Sequence, residues 1–135
     1  MLTENQQDSA LLVLKRGDKD SALVTSLLEK VGFHVSHSFN ANDALELFGS
    51  AETSPNLLII DEAVNPAGLA GFLQCVISLS PGVRTILLSE QEEFDPSPVW
   101  GERASNHAFL KRPFRRAQFL GSVLHLMDER LVRTA

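Results

Sequence analysis

The sequence predicts an α/β domain: a parallel sheet with helices on both faces. Two observations carry the prediction. Short apolar segments alternate five times with stretches of helical periodicity, and alternation of that kind means parallel strands joined by right-handed crossovers. The segment Asn56–Asp61, Asn-Leu-Leu-Ile-Ile-Asp, then sets the centre, because its four consecutive apolar residues end in a single carboxylate. A strand apolar on both faces is buried on both faces. Ligands gather outside the carboxyl ends of such strands, so Asp61 stands where chemistry is expected.

Composition narrows the classes. At 135 residues the chain is long enough for one domain with a real core and short for two. We expect a tail over residues 1–9 and the domain over 10–132. The apolar and charged fractions, 44% and 21%, are those of a soluble globular protein. The run Ala10–Leu14 is far too short to span a membrane. Met1–Ser9 is polar and does not read as a secretory signal. The single cysteine, Cys75, precludes an internal disulfide, and a cytoplasmic location is the expectation. A net charge of −5 argues against nonspecific contact with nucleic acid or a membrane surface.

Ala10–Leu14 is the first strand, broken by Lys15-Arg16-Gly17. Asp18 or Asp20 is placed to cap the next helix, since a carboxylate accepts from free helix N–H groups. That helix has a stripe of Leu23, Leu27 and Val31, widened by Val24 and Leu28, and stops at Gly32. Phe33–Phe39 alternates like a strand, with Phe33, Val35, His37 and Phe39 on one side. Asn40 or Asn42 caps a short helix carrying Ala44, Leu45 and Phe48. After Asp61, residues 62–71 are rich in Pro and Gly and read as a loop. The following helix presents Phe72, Cys75, Val76 and Leu79. Thr85–Ser89 is a fourth strand. Residues 91–105 are irregular, with a short helix expected after Pro98. Ala108–Lys111 is a fifth strand, stopped by Pro113. A last helix over about Arg115–Leu131 aligns Leu120, Leu124, Met127 and Leu131.

The strand ends Lys15-Arg16, Asp61 and Ser89, with Phe109-Leu-Lys-Arg-Pro-Phe114 closing the series, together resemble the receiver domain of two-component response regulators. The likeness spans about residues 10–130. It implies a flavodoxin-like (CheY-like) doubly wound sheet of five strands in the order 2-1-3-4-5. It also implies signalling by phosphorelay, with a histidine kinase or another signalling protein as partner, a homodimer as a further arrangement, and no enzyme activity of the ordinary kind. In the family's pattern Asp61 matches the phospho-acceptor and Ser89 the hydroxyl that contacts the phosphoryl group. Arg112 matches the lysine before a cis-bonded proline, here Pro113, and Phe109 matches the aromatic switch.

The departures from that pattern are chemical. Two adjacent acids hold Mg²⁺ in the family, and counting back from Gly32 their positions fall on Lys15 and Arg16. An octahedral ion needs oxygens that two cations do not supply. At 4 Å each unit charge pair is repelled by roughly 4 kcal/mol in a medium of effective dielectric near 20. The expectation is a degenerate receiver with no cofactor, in which Lys15, Arg16 and Arg112 hold Asp61 in a salt bridge. Alternation along the strand puts at most one of Lys15 and Arg16 into the pocket. Arg for lysine at 112 keeps the charge but replaces a point donor with a planar fork.

Other readings compete. A phospho-accepting domain with unusual metal use would recruit Asp18, Asp20 or Glu62, which read more simply as caps and an outward neighbour. A small flavodoxin-like enzyme or nucleotide binder lacks a glycine-rich phosphate loop after the first strand. Ser89 is also an ordinary strand-end residue, Glu90 crowds any phosphoryl group beside it, and Phe109 reads equally as core. The four histidines have no ligand spacing. Cys75 reads as packing, and Lys111, Arg112, Arg115 and Arg116 as a solvated basic cluster or a docking patch. Trp100 is a core residue or an interface anchor.

Overall fold

A computed structural model describes residues 8–50, 52, 54–65, 68–90 and 106–134, with side chains described as far as 127. Five strands, β1 (Ser9–Val13), β2 (His34–Ser38), β3 (Leu57–Asp61), β4 (Arg84–Ser89) and β5 (His107–Lys111), form one parallel sheet in the order β2-β1-β3-β4-β5. Among the described residues four helices cover it: α1 (Ser21–Lys30), α2 (Ala41–Phe48), α3 (Leu69–Leu79) and α4 (Arg116–Thr134). This is the α/β fold and strand order expected above. Asp61 pairs in register with Leu88, and Ser89 with Lys111, so the ends of three strands share one rim.

The pleat sorts the core into two layers. Leu12, Leu57, Ile59, Ile86 and Leu88 face α1 and α4, where they meet Val24, Leu28, Phe119 and Val123. Leu11, Val13, Leu58, Ile60 and Leu87 face α2 and α3, against Phe48, Phe72, Leu73 and Val76. Leu57 to Ile60 are wholly excluded from water, as a central strand covered on both sides requires. Thr85, Ser89, Asp61 and Arg112 are among the few buried polar residues, and the last three lie at the rim.

Several expectations shift in detail. Ser9 begins β1 rather than ending a tail, and the N–H of His34 donates to the carbonyl of Asp8 at 2.8 Å. α3 starts at Leu69, inside the Pro- and Gly-rich stretch, and buries Leu69, Phe72, Leu73 and Val76. Cys75 is therefore exposed, as is Leu79. In α4 the buried stripe is Phe119, Val123, Leu126 and Met127, with Leu120 half-buried and Leu124 outside. The ring of Phe119 stacks on Phe114 at 5.9 Å, which turns that stripe inward. Val31 caps α1 and is exposed. Gly32 ends that helix at φ +103°, a left-handed conformation natural to glycine. Asn40 caps α2, accepting from the N–H of Asp43 at 2.9 Å. The expected helix after Pro98 and the interface reading of Trp100 lie outside the described residues. Among the described residues no helix is long and apolar enough to cross a membrane.

Candidate functional site

Asp61 closes β3, and both of its carboxylate oxygens are engaged. Oδ1 accepts the N–H of Ala63 at 2.7 Å, which caps the short 3-10 turn Glu62–Val64. Oδ2 lies 2.8 Å from Nη2 of Arg112. Arg112 follows β5 directly. Its N–H donates to the carbonyl of Ser89 at 2.7 Å, and its peptide bond to Pro113 is cis. That hydrogen bond extends the ladder by one step and directs the side chain across the sheet end toward β3 and β1.

The guanidinium has two more anionic partners. Asp18 receives it as a fork, Oδ2 from Nη2 at 2.8 Å and Oδ1 from Nη1 at 3.2 Å. Asp20 Oδ2 accepts from Nη1 as well. The loop is shaped for this. Gly17, at φ +73°, makes the turn in which the N–H of Asp18 reaches the carbonyl of Lys15 at 3.1 Å, folding Asp18 back over the end of β1. Asp18 Oδ1 also accepts the N–H of Asp20 at 2.9 Å, so the two acids share one local scaffold.

Capping was the expected role for these two acids. Asp20 does occupy the N-cap position of α1 but makes no side-chain cap; its carboxylate goes to Arg112 instead. A carboxylate cap on an N–H would also be charge-assisted, but Arg112 brings a full opposite charge that is almost completely buried and costly to leave without anionic partners.

The Arg112 side chain is 4% exposed, against 11% for Asp18 and Asp61 and 22% for Asp20. Burial works against its charge, but the hydrogen bond and charge of Asp18, with the charges of Asp61 and Asp20, outweigh that and raise its pKa above the ordinary value. A cleft of about 600 Å³ opens beside this group, and Lys15, Lys19, Glu62 and Glu90 line its remaining wall.

The other candidate residues separate into near and far. Lys15 lines the cleft. Arg16 turns away: its guanidinium sits 4.2 Å from the centre of the Phe39 ring at the β2 edge. The expectation that Lys15, Arg16 and Arg112 surround Asp61 is corrected accordingly; among the described cations Arg112 pairs with it. Ser89 is fully buried, and its hydroxyl donates to Oε1 of Glu62. Glu62 thus points inward, not outward as expected. Phe109 is half-buried against the α2–α3 core layer. Arg112 does not belong to a surface basic cluster, since only Lys111, Arg115 and Arg116 of that group are exposed. The contribution of Asp18 and Asp20 was visible in the sequence only as Asp-x-Asp in the loop after a strand, opposite an arginine at another strand end.

Among solved structures, the chain superposes on a response regulator receiver protein from Sinorhizobium medicae WSM419 with a TM-score of 0.76 and 17% identity, covering 94% of this chain and 99% of that one. The fold is that of the receiver domain. A receiver domain protein (CheY-like) from Methanospirillum hungatei JF-1 matches with a TM-score of 0.75 and 17% identity, over 94% of this chain and 98% of that one. A response regulator from Burkholderia pseudomallei, solved with a phosphorylated aspartic acid, a calcium ion and citrate, matches at 0.65 and 14% identity, over 95% of this chain and 73% of that one. No family model and no curated protein matches the sequence. At these identities the likeness is one of fold.

The receiver pattern implies a magnesium ion, and the residues present do not fit one. Lys15 and Arg16, which follow β1 where the resemblance expects the acidic pair, bring no side-chain oxygen. Asp18, Asp20 and Asp61 are turned onto the guanidinium, and Asp61 spends its other oxygen on Ala63. Among the described residues no group of three or more His, Cys, Asp or Glu side chains is arranged to hold a metal ion.

Proposed function

We propose that this chain is a receiver-type signalling domain of the two-component class, with Asp61 at the phospho-acceptor position and magnesium-dependent phosphorylation lost or much weakened. It transmits its signal by docking to a protein partner, a histidine kinase or another signalling protein, or a second copy of itself. One observation supports this best: the Asp61 carboxylate is committed at both oxygens, to a buried arginine and to a backbone N–H.

Phosphoryl transfer depends almost wholly on positioning and on neutralising charge. An attacking carboxylate oxygen must be free to approach the phosphorus, whereas here leaving Arg112 breaks a buried ion pair. The surroundings also disfavour a phosphoanion. Asp18, Asp20, Glu62 and Glu90 stand near Asp61, with Arg112 already shared among three acids and Lys15 and Lys19 as the only further cations lining the cleft among the described residues. A donor carrying its own negative charge meets like charge at that range.

Incubation with acetyl phosphate, with and without Mg²⁺, followed by intact-mass measurement tests the proposal. The expected result is no phosphoryl adduct, or a trace independent of Mg²⁺. A stoichiometric, Mg²⁺-dependent adduct on Asp61 overturns it and makes the chain a working phospho-acceptor.

A further inference from the structure

The mismatch between this rim and a magnesium ion has a specific form. Three carboxylates from two separate segments converge on one cation, and that cation is the Arg112 guanidinium, contributed by a third segment, with the acids spread around its fork and not set as a metal cage. We propose that Arg112 is the resident cation of the rim, a tethered substitute that holds the place of a divalent ion between Asp18, Asp20 and Asp61. The inference rests on the receiver-type reading of Asp61 and deepens it, giving the reason the site dispenses with metal.

The geometry carries the argument. Nη2 is 2.8 Å from both Asp18 Oδ2 and Asp61 Oδ2, so one nitrogen bridges β1's loop and β3 as a bound ion bridges its ligands. Nη1 ties in Asp20 and the second oxygen of Asp18. The side chain is almost completely excluded from water, so its charge is balanced by these acids and not by solvent. A tethered cation cannot be diluted away or chelated, whereas a free ion stabilises only in proportion to its concentration over its dissociation constant. Lys15 on the cleft wall adds a second fixed charge against a free cation.

The test is thermal unfolding of the full chain, followed by circular dichroism, in EDTA and then with Mg²⁺ or Mn²⁺ titrated to millimolar levels. For the wild type the melting temperature is expected to stay unchanged by either ion. Arg112→Met is expected to melt lower in EDTA and to recover by several degrees as metal is added. Asp18→Asn combined with Arg112→Met is expected to lose that response, which locates the ion among these acids. A sub-millimolar metal response in the wild type overturns the proposal, and so does a folded Arg112→Met variant that ignores both ions. Should Arg112→Met not fold, Arg112→Lys decides. Its single ammonium does not fork across two acids, so a metal response above that of the wild type supports the proposal and none overturns it. No phosphoryl donor enters this experiment. A failure here therefore leaves the docking reading to the acetyl phosphate result, and a failure there leaves Arg112's role to this one.

Discussion

Leu57–Ile60 and the knot around Arg112 are neighbours along β3, both nearly closed to water, and they are held by opposite physics. The strand interior is stabilised by removing apolar surface from water, roughly 25 cal/mol for each Å², and its side chains contact many others with no single indispensable partner. The knot gathers one cation and three anions, each of which would be costly to bury alone. The first region loses stability in proportion to the atoms removed. The second fails abruptly, because deleting one member strands the rest. The fold and the candidate site thus sit side by side in this chain, the first built on redundancy and the second on one arginine.

Substitutions sharpen the contrast, and the largest effect belongs to Arg112. Arg112→Met leaves three carboxylates without their cation and is expected to cost about 3–5 kcal/mol in metal-free buffer, read from urea unfolding. A loss below that of a single core methyl group would break the comparison, since the knot would then be no more than a surface network. Asp61→Asn keeps the shape and removes one of three charges. It is expected to cost about 1.5–3 kcal/mol, the range for hydrogen bonds to charged groups.

The pH dependence of Arg112→Lys separates the fork from the charge. A cation raised above its unfolded pKa adds stability that is complete below the unfolded value and is lost as pH climbs through the folded one. For Arg112, already raised, that window lies beyond the working range. For a lysine it opens near about 10.4. The stability gap between Arg112→Lys and the wild type is expected to widen as urea titrations move up through alkaline pH. A constant gap would mean that the lysine is not paired with the acids.

At the other end of the comparison, Ile59→Val is expected to cost only about 0.5–1.5 kcal/mol, because its neighbours close part of the space left by one methyl group. Its measured loss calibrates what a proportional response looks like in this sheet.

How much of this was legible in the sequence follows the same division. β3 could be read because a strand covered on both sides admits no polar residue until it emerges, and the sheet order followed from the family pattern its ends completed. Helix phase was harder. Phe119-Leu120 and Val123-Leu124 each offer two adjacent apolar positions, hence two competing stripes, and contact with the sheet and Phe114 selects the first of each pair. In α3 the loop signal from Pro and Gly runs past the true start at Leu69, so the periodicity counted from Phe72 puts Cys75 on the buried stripe, whereas Leu69 and Leu73 complete it and Cys75 is exposed. At the site, Asp61 and Arg112 could be named from strand ends alone. Asp18 and Asp20 could not be assigned to Arg112, because an acid ahead of a helix is equally good as a local cap. Only the arrival of a chain segment more than ninety positions away decides between the two.

Adjacent Lys15 and Arg16 supply the smallest test of where the knot stops. Lys15 points to the cleft, while Arg16 leaves the rim and lies over Phe39, itself 42% exposed at the sheet edge. A cation over an exposed ring contributes about 0.5–1 kcal/mol, and nothing in that contact touches Asp61. Arg16→Ala is therefore expected to lower the urea midpoint only slightly and to respond to Mg²⁺ no differently from the wild type. A loss equal to that of Asp61→Asn, or a response to metal that the wild type lacks, would place Arg16 among the charges that guard the rim and extend the knot to Lys15 and Arg16 both.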